Sequence, residues 1–309
     1  MKKVVVTGGA GFIGSHLAKE LVKRGYQILI LDDLSTGKIE NIEDLLKNDE
    51  VEFVQGTVTD PPLLIRLCKN ASYVFHLAAV PSVPRSIENP QASHEVNING
   101  TLNVLQAARE NNANKVIFAS SSSVYGDTPA FSQKEDMAPH PLSPYAVTKL
   151  AGEYYCQVFH EVYKLPTVCL RYFNVYGPRQ DPNSQYAAVI PTFIKMVSEG
   201  NQPVIFGAGE QTRDFIFIKD AIAANILMAE SDASGLFNIA RGERVTINEL
   251  AKLVISIMGS KFEAIHHEPR PGDIRHSLAD ISKVKAFGYE PQYTLEDGLS
   301  EIVRMLNER

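Results

Sequence analysis

Tyr145 and Lys149 are the pair of residues whose types and spacing first suggest chemistry. They stand four residues apart in a stretch with helical character, so they share one helix face about one turn apart. An ammonium group beside a phenol is expected to lower the phenol pKa from about 10, which makes the phenolate usable as a base near neutral pH. The pair predicts a general base for a hydroxyl group, although this spacing alone is common.

A run of serines indicates where in the fold the Tyr145–Lys149 pair lies. Ser120-Ser121-Ser122-Ser123 follows a predicted buried strand, and Tyr145 opens the next predicted helix. Hydroxyls at the carboxyl end of a parallel strand project into the ligand crevice of a doubly wound sheet. The alternative for any single serine is a turn or helix cap. The two motifs together predict an active site at this strand end.

Glycines near the N-terminus have the spacing of a dinucleotide-binding turn. Gly8, Gly9, Gly11 and Gly14 satisfy both Gly-x-Gly-x-x-Gly and Gly-x-x-Gly-x-x-Gly, between a predicted strand and a predicted helix. Such a turn needs glycine conformations and lets a pyrophosphate approach bare backbone N–H groups at the helix start. The alternative is a purely structural turn. The context predicts a bound dinucleotide.

An aspartate at the end of the second predicted strand selects the dinucleotide. Asp32 lies 18 residues after Gly14 (32 − 14) and is followed by Asp33, Leu34 and Ser35 rather than by arginine. A carboxylate here accepts hydrogen bonds from ribose hydroxyls and repels a 2′-phosphate. NAD is therefore favoured over NADP.

The elements that must position these residues alternate in the first half of the chain. Short runs rich in Val and Ile alternate with longer helical stretches, which predicts an α/β fold with a doubly wound parallel sheet of the Rossmann type. From about residue 175 the rhythm changes to helices between Pro- and Gly-rich loops, so we predict an NAD-binding domain over 1–174 and a smaller α/β substrate lobe over 175–309, with chain crossings between them. The predicted strands are Lys3–Thr7, Gln27–Asp32, Val51–Gln55, Tyr73–His76, Lys115–Ser120 and Thr167–Arg171, and the predicted helices are Gly11–Arg24, Pro61–Lys69, Asn89–Asn111, Ser143–Tyr163, Val189–Glu199, Asp220–Ala229, Thr246–Met258 and Leu295–Leu306.

Composition and charge exclude several other classes. The 309 residues carry a net charge of −6, which disfavours nucleic acid as a partner. Glycines at 8 and 9 interrupt the first apolar stretch too early for a secretory signal, and no run is long enough to cross a membrane, so a cytoplasmic protein is expected. The cysteines are Cys68, Cys156 and Cys169, an odd number without a Cys-x-x-Cys pair, so neither disulfides nor a metal site is expected.

The motifs, taken in order, resemble the extended short-chain dehydrogenase/reductase family that acts on sugar nucleotides, and most closely its UDP-hexose 4-epimerases. The resemblance covers nearly the whole chain and implies NAD as cofactor and a UDP-sugar as substrate. The segments that carry it are Thr7–Gly14, His76–Ala79, Asn97–Thr101, Ser121–Gly126, Tyr145 with Lys149, Arg171–Pro178, Arg213 to residue 216, and Arg270–Asp273.

The family resemblance implies a role for each site residue. Tyr145 is the implied base for the sugar 4′-hydroxyl, Lys149 tunes it and holds the nicotinamide ribose, and Ser121 bonds the sugar O4. The implied substrate-binding residues are Ser82, Arg85, Ser121, Ser122, Ser123, Tyr145, Asn174, Val189, Arg213, Arg270, Asp273 and Ser277. The implied cofactor-binding residues are Gly8, Gly11, Phe12, Ile13, Gly14, Asp32, Asp33, Ser35, Thr36, Gly37, Thr57, Val58, Leu77, Ala78, Ala79, Asn97, Ala119, Tyr145, Lys149 and Tyr172.

One residue departs from the family pattern. The family often has aspartate after the third strand to contact adenine, whereas Gln55-Gly56-Thr57-Val58 places Thr57 there. This departure puts side-chain anchoring of the adenine in doubt and leaves the Val58 backbone as the alternative.

The resemblance leaves several reactions open. The related dehydratases carry Asp-Glu before Val-Tyr-Gly and the related UDP-glucuronate decarboxylases carry Glu in that stretch, but here it reads Ser122-Ser123-Val124. Epimerisation needs only one base, one hydride carrier and room for the 4-keto sugar to turn over. The alternatives are another epimerase, dehydratase or reductase of the family, including one that acts on UDP-glucuronate, and a non-enzymatic NAD-binding sensor.

Sugar preference and assembly also follow from the resemblance. Aligning the Arg270–Asp273 stretch puts Ser277 where glucose-restricted relatives carry a bulky tyrosine, and Ser82–Ser86 resembles the branch that uses N-acetylhexosamines. We therefore expect UDP-GlcNAc and UDP-GalNAc to be accepted alongside UDP-Glc and UDP-Gal, unless Ser123 or Val80 sets the pocket width. The helices at 89–111 and 143–163 carry apolar residues on more than one face, so one face is free to pair with a second subunit unless both are buried in a deeper core. The resemblance implies a homodimer through a four-helix bundle.

Overall fold

The computed structural model describes residues 2–128, 131–182, 188–269 and 275–308. Within them a seven-stranded sheet, parallel at every pairing, has the strand order β11-β6-β5-β4-β1-β2-β3. The order reverses direction between β1 and β4, which is where a doubly wound fold forms its ligand crevice. The strands of this sheet are β1 (Lys3–Thr7), β2 (Gln27–Asp32), β3 (Val51–Gln55), β4 (Ala71–His76), β5 (Lys115–Ser121), β6 (Thr167–Tyr172) and β11 (Gly235–Ile239).

Helices cover both faces of the sheet, and six short strands form three separate pairs outside it. The helices are α1 (Phe12–Lys23), α2 (Pro61–Leu67), α3 (Val83–Glu88), α4 (Pro90–His94), α5 (Gly100–Glu110), α6 (Pro144–Glu161), α7 (Val189–Ser198), α8 (Ile218–Glu230), α9 (Ile247–Ile257), α10 (Ser282–Lys285) and α11 (Leu295–Asn307). The short strands are β7 (Val175–Tyr176), β8 (Val204–Phe206), β9 (Thr212–Arg213), β10 (Ile216–Phe217), β12 (Val245–Thr246) and β13 (Ile265–His267), paired β10-β7, β12-β9 and β13-β8.

The core lies in two layers, one on each face of the sheet. Alternate residues of β1 show why: Val4 and Val6 pack into one apolar cluster, whereas Val5 packs into the other. Because both faces are covered, the inner strands carry consecutive apolar residues rather than an alternating pattern, as Val4–Val6 in β1 and Ile28–Leu31 in β2 show. The predicted fold class is confirmed.

Helix α6, which carries Tyr145 and Lys149, has a well-defined start. The Ser143 side chain accepts the Ala146 N–H at 3.1 Å, and Pro144 occupies the first turn, where its missing N–H costs nothing. Gly152 lets the helix approach β5 closely, since a Cβ there would overlap the Phe118 ring. These features fix the height and the depth of the helix above the sheet.

The predicted single helix over 89–111 is wrong in detail. The structure divides it into α4, a π-helical segment (Glu95–Asn99) and α5. The π-helical turn places the buried Asn97 side chain against α6, where Asn97 Nδ2 donates to Thr148 Oγ1 at 3.0 Å. Sequence periodicity does not distinguish this turn from an ordinary one.

Strand β11 is an element that the sequence analysis missed. It comes from the C-terminal half of the chain and pairs with β6 at the edge of the sheet, with Gly235 opposite Val168. The division of the chain at residue 174, with chain crossings between the two parts, stays a prediction. No helix in the described ranges is both long and apolar enough to span a bilayer.

Candidate active site

The glycine-rich turn after β1 makes the floor of the site. Gly8 has a φ of 70°, and a Cβ on it would lie 2.7 Å from the Ala78 backbone nitrogen. A Cβ on Gly14 would overlap the Gly8 carbonyl oxygen. Only glycine at these two positions lets β1, β4 and the start of α1 approach so closely.

A cavity of about 430 Å³ opens above this turn at the carboxyl ends of β1, β2, β4, β5 and β6. The polar chemistry converges at one end of it, where Tyr145 and Lys149 lie beside the end of β5. The predicted cofactor residues that line the cavity are Gly8, Gly11, Phe12, Ile13, Gly14, Asp32, Asp33, Ser35, Thr36, Thr57, Val58, Leu77, Ala78, Ala79, Ala119, Tyr145, Lys149 and Tyr172.

Gly37 and Asn97 are placed behind the cavity wall rather than on it. A Cβ on Gly37 would lie 2.6 Å from Asp32 Oδ1, so the glycine lets the loop close against that carboxylate. Asn97 accepts the Val80 N–H at 2.7 Å and donates to the Val80 carbonyl at 3.2 Å. Both residues shape the pocket through their neighbours.

Asp32 ends β2 at the cavity with its side chain largely buried. Its carboxylate accepts the Ala10 N–H and the Leu34 N–H, each at 2.9 Å. Burial raises its pKa, and these backbone N–H groups oppose that rise. The backbone N–H groups of Leu34, Ala10 and Gly11 use three of the roughly four acceptor positions of the carboxylate, which leaves one to accept from a ribose hydroxyl.

The far end of the cavity differs from the family pattern as the sequence indicated. Thr57 Oγ1 lies 3.0 Å from Thr59 Oγ1, so its hydroxyl is held within its own turn. The Val58 side chain is buried, and the Val58 carbonyl accepts from Asn103 Nδ2 at 3.1 Å. The Val58 N–H remains the group that we propose for adenine contact.

Tyr145, Lys149 and Ser121 come together at the end of β5. Tyr145 is hydrogen-bonded to Ser121, and Lys149 Nζ lies 5.8 Å from the centre of the Tyr145 ring. Lys149 Nζ donates to the Ala119 carbonyl at 2.8 Å, which uses one of its three donors. The remaining donors are available to a ligand in the cavity.

The expectation that Lys149 lowers the pKa of the Tyr145 phenol is not met in the structure. Burial raises the pKa of Tyr145 to about 12, and the hydrogen bond from Ser121 opposes that rise only in part. Burial also lowers the pKa of Lys149 to about 8, since it penalises the ammonium form. The lysine is bonded to a carbonyl rather than to the phenol, so Lys149 alone does not create the phenolate.

Ser122 and Ser123 form the turn that follows β5. Ser121 Oγ accepts the Ser123 N–H at 3.2 Å, which starts the 3-10 turn Ser122–Tyr125. Ser123 Oγ is buried and has no hydrogen-bond partner among the described residues. A buried hydroxyl without a partner is costly, so this one is suited to a polar ligand.

The predicted substrate residues of the C-terminal half converge around Asp214. Asn174 Nδ2 donates to the Asp214 backbone carbonyl at 3.0 Å. Arg213 is the last residue of β9 and immediately precedes Asp214. Ser277 is 7% exposed, and its N–H donates to the Thr212 carbonyl at 3.1 Å. The structure thus brings Asn174, Arg213 and Ser277 into one cluster.

Asp214 is the buried centre of this cluster. Its carboxylate accepts backbone N–H groups from Arg241 and Ala279, each at 3.1 Å, and from Gly242. Burial raises its pKa to about 7, and those N–H groups oppose the rise. The aspartate therefore ties the 275–280 segment to the strand that carries Arg213.

The other predicted substrate residues are more scattered. Ser82 caps α3 with a φ of 88°, an unusual conformation for a residue other than glycine, and Arg85 lies one turn into that helix. Val189 begins α7. Arg270 and Asp273 lie outside the described residues.

Sequence reasoning missed several residues of the site. The sequence analysis named Val80 only as an alternative determinant of pocket width. Val80 and Pro81 directly follow the predicted Leu77–Ala79 segment, so continuing that loop would have placed both at the cavity. Glu153 gave a signal as well, because it lies four residues after Lys149 on the same helix face. The cavity is also lined by Leu31, Gly56, Val80, Pro81, Val96 and Ser120.

The residues present fit a dinucleotide. The turn offers backbone N–H groups at the start of α1, Asp32 offers carboxylate oxygens for ribose hydroxyls, and Lys149 retains unused donors. NAD, when bound, supplies the hydride acceptor that no side chain provides.

Comparison with known proteins gives consistent results. Residues 4–240 match the model of the NAD dependent epimerase/dehydratase family. The chain is 38% identical over 305 residues to a putative UDP-glucose 4-epimerase of Methanocaldococcus jannaschii, covering 98% of each chain.

Two solved structures are similar along nearly the whole chain. A UDP-N-acetylglucosamine 4-epimerase from Methanobrevibacter ruminantium, in complex with UDP-N-acetylmuramic acid, is 44% identical with a TM-score of 0.96, over 100% of this chain and 99% of that one. A UDP-glucuronic acid 4-epimerase from Bacillus cereus, in complex with UDP-glucuronic acid and NAD, is 36% identical with a TM-score of 0.90, over 98% and 99%.

The Asp32 geometry generates a prediction about cofactor choice. Calorimetry on cofactor-free protein should show NAD binding at least about tenfold more tightly than NADP, since a 2′-phosphate beside the carboxylate costs more than about 1.4 kcal/mol. Asp32→Asn should reduce the preference for NAD over NADP, because it removes the negative charge of the Asp32 side chain while keeping its size and shape. NADP binding as tight as NAD in the wild type would contradict the assignment.

Proposed function

The chain belongs to the NAD dependent epimerase/dehydratase family, and from that membership and the geometry of the site we propose that it is a UDP-hexose 4-epimerase. The observation that carries the proposal is the meeting of Tyr145, Lys149 and Ser121 at the end of β5, at a cavity fitted to NAD. Its relatives include UDP-sugar 4-epimerases for plain, N-acetylated and uronic sugars. The family and these relatives support the reaction class, and this chain's own residues support the choice of sugar.

In the proposed reaction Tyr145 takes the proton from the sugar 4-hydroxyl as C4 is oxidised. Ser121, already bonded to Tyr145, shares the hydrogen bond to O4 and keeps the phenol oxygen beside it. Because burial raises the pKa of Tyr145 to about 12, the base needs positive charge nearby to take a proton near neutral pH. Lys149 supplies one such charge while it stays protonated.

The 4-keto sugar must then turn over and take back hydride on its other face. The UDP group stays anchored through this rotation, and we propose Arg213 and Asn174 as part of the anchor because Asp214 holds their segments together. A guanidinium group suits diphosphate oxygens. NAD is regenerated in each catalytic cycle, so the cofactor does not need to dissociate between turnovers.

The residues beside Ser121 argue against elimination. A dehydratase needs an acid and a base at the sugar, and Ser122 and Ser123 offer hydroxyls instead of carboxylates. The free Ser123 hydroxyl can bond a sugar substituent but is a poor proton acceptor at neutral pH. Epimerisation needs no further acid.

The sugar preference rests on Ser277. This small residue is buried beside Thr212 and Arg213, where a tyrosine would take up far more volume. A wide pocket cannot strongly reject a smaller ligand, whereas a filled pocket excludes a larger one. We therefore propose that UDP-GlcNAc and UDP-GalNAc are converted together with UDP-Glc and UDP-Gal.

Assembly is a separate proposal that rests on α6. Val147, Tyr154, Val158 and Val162 are 49%, 54%, 44% and 64% exposed, and they form an apolar stripe along one side of the helix. We propose that a second copy covers this stripe to form a homodimer, in line with the long helices noted in the sequence.

Replacing the base tests the reaction. Tyr145→Phe should fold and keep NAD but lose about 10²-fold or more in turnover, the scale of a lost general base. Tyr154→Phe removes a phenol hydroxyl from the exposed side of the same helix and should keep full turnover. Activity close to wild type in Tyr145→Phe, measured by separating UDP-sugar products, would rule out the assignment.

Filling the proposed pocket tests the sugar preference. Ser277→Tyr should suppress conversion of UDP-GlcNAc and UDP-GalNAc by about tenfold or more while sparing UDP-Glc and UDP-Gal, because the ring takes the space of the N-acetyl group. Ser277→Ala is the control and should keep all four activities. If the wild type converts only plain hexoses, or the tyrosine variant keeps its N-acetyl activity, Ser277 does not set the pocket.

A charge on the stripe tests the dimer. Val158→Asp should yield monomers by light scattering at micromolar concentration, since a carboxylate buried at the interface has no partner. Leu306→Asp places the same charge at an exposed apolar residue of α11, away from the stripe, and should stay dimeric. A monomeric wild type would contradict the proposal.

A further inference from the structure

Glu153 is a buried carboxylate one helical turn beyond Lys149. Lys149 and Glu153 lie at positions i and i+4 of α6, on the same helix face. Lys149 is 4% exposed and Glu153 is 3% exposed. Side chains with this spacing have Cβ atoms about 5–6 Å apart, so the charges of Lys149 and Glu153 interact strongly when both are buried. Neither the proposed proton transfer nor NAD binding accounts for Glu153.

Three donors hold the Glu153 carboxylate in place. Arg171 of β6 donates through Nε to Oε1 at 2.8 Å and through a terminal nitrogen to Oε2 at 2.7 Å, a two-pronged ion pair. Ser120 Oγ donates to Oε1 at 2.5 Å. Arg171 in turn lies 4.6 Å above the Tyr125 ring. The carboxylate is therefore held in a fixed position and cannot turn toward the lysine.

Lys149 is left with a carbonyl and no carboxylate within ion-pair distance among the described residues. Its Nζ donates to the Ala119 carbonyl and sits 5.1 Å from the centre of the Phe118 ring on β5. Glu153 thus acts on Lys149 through space, while the donors of the lysine remain free for ligands.

The other groups that face Lys149 carry no compensating charge. Tyr145 on α6 is neutral because burial raises its pKa to about 12, and burial also raises the pKa of Tyr172 on β6. His76 on β4 is neutral because burial lowers its pKa to about 3. Asn97 of the π-helical segment has no charge. Glu153 is the group that raises the pKa of Lys149 against burial.

We propose that Glu153, fixed by Arg171 and Ser120, is a positioning residue that keeps Lys149 protonated at neutral pH without forming an ion pair with it. The proposal rests on the proposed function, since a cationic Lys149 is what assists Tyr145. Arg171 prevents Glu153 from forming an ion pair with Lys149. Glu153 in turn prevents burial from deprotonating Lys149.

The charge state of Lys149 can be measured directly in the full-length protein. Protein labelled with ¹³C at lysine Cε is titrated by NMR at matched NAD content, and Lys149→Arg assigns the signal. Removing a negative charge disfavours the ammonium form, so Glu153→Gln should lower the Lys149 midpoint by about one pH unit or more. Lysine is charged below its pKa, so the alkaline limb of the kcat/KM profile should move to lower pH by the same amount.

Two variants control for unrelated effects. Glu161→Gln removes one negative charge from the exposed end of α6 and should leave the Lys149 midpoint unchanged. Glu153→Gln/Arg171→Gln removes both members of the ion pair, so neither is left as an unpaired buried charge, and this double variant is used if the single variant does not fold. It should also lower the Lys149 midpoint, by less than Glu153→Gln does.

The proposal is overturned if the Lys149 midpoint in Glu153→Gln, or in the double variant, equals that of the wild type. It is also overturned if Glu161→Gln shifts the midpoint as far as Glu153→Gln. If the wild type converts no UDP-sugar, the proposed function fails, yet the NMR titration still tests the link between Glu153 and Lys149.

Discussion

The Lys149 ammonium group is a demanding charge for the fold, because it lines the cavity and yet lies almost entirely out of water. Desolvating an ammonium group costs several kcal/mol unless nearby dipoles and charges compensate. The Ala119 carbonyl and the fixed Glu153 carboxylate provide that compensation. Helix α6 must therefore lie close to the end of β5, and Gly152 permits this approach.

A buried hydrogen-bond chain keeps α6 in register with the glycine-rich turn. Thr101 donates to the Asn97 carbonyl at 2.6 Å, so it accepts from His76 Nε2, and His76 Nδ1 then accepts from Thr7 at the end of β1. Asn97 continues the chain through its contact with Thr148 on α6. The neutral state of His76 suits this role, because it has one donor and one acceptor.

The same helix is fixed at its start by α3. The Tyr145 N–H donates to Ser86 Oγ at 2.9 Å, and Ser86 donates to the Val83 carbonyl at 2.7 Å. Ser82, with its unusual backbone, begins that short helix. Tyr145 thus takes its position from α3 as well as from the sheet.

Much of this was predictable from sequence, and the rest fails for identifiable reasons. The glycine turn, Asp32 and the strand–helix alternation report local conformation, so the strands and helices of the N-terminal half were predicted closely, and most of the predicted cofactor residues line one cavity. The π-helical turn around Asn97 and the edge strand β11 depend on tertiary contacts that periodicity does not encode. The expected effect of Lys149 on Tyr145 was wrong because burial, which a sequence does not show, dominates both pKa values.

The central claim is that one UDP-sugar is converted to its C4 epimer while the cofactor stays on the protein. The most direct measurement is to incubate the purified protein, without added NAD, with UDP-glucose and with UDP-GlcNAc, and to separate the products while recording absorbance at the NADH band. The account predicts that UDP-galactose and UDP-GalNAc form to equilibrium with no lasting rise in NADH. NADH accumulating in step with substrate consumed would contradict it and identify a net dehydrogenase instead.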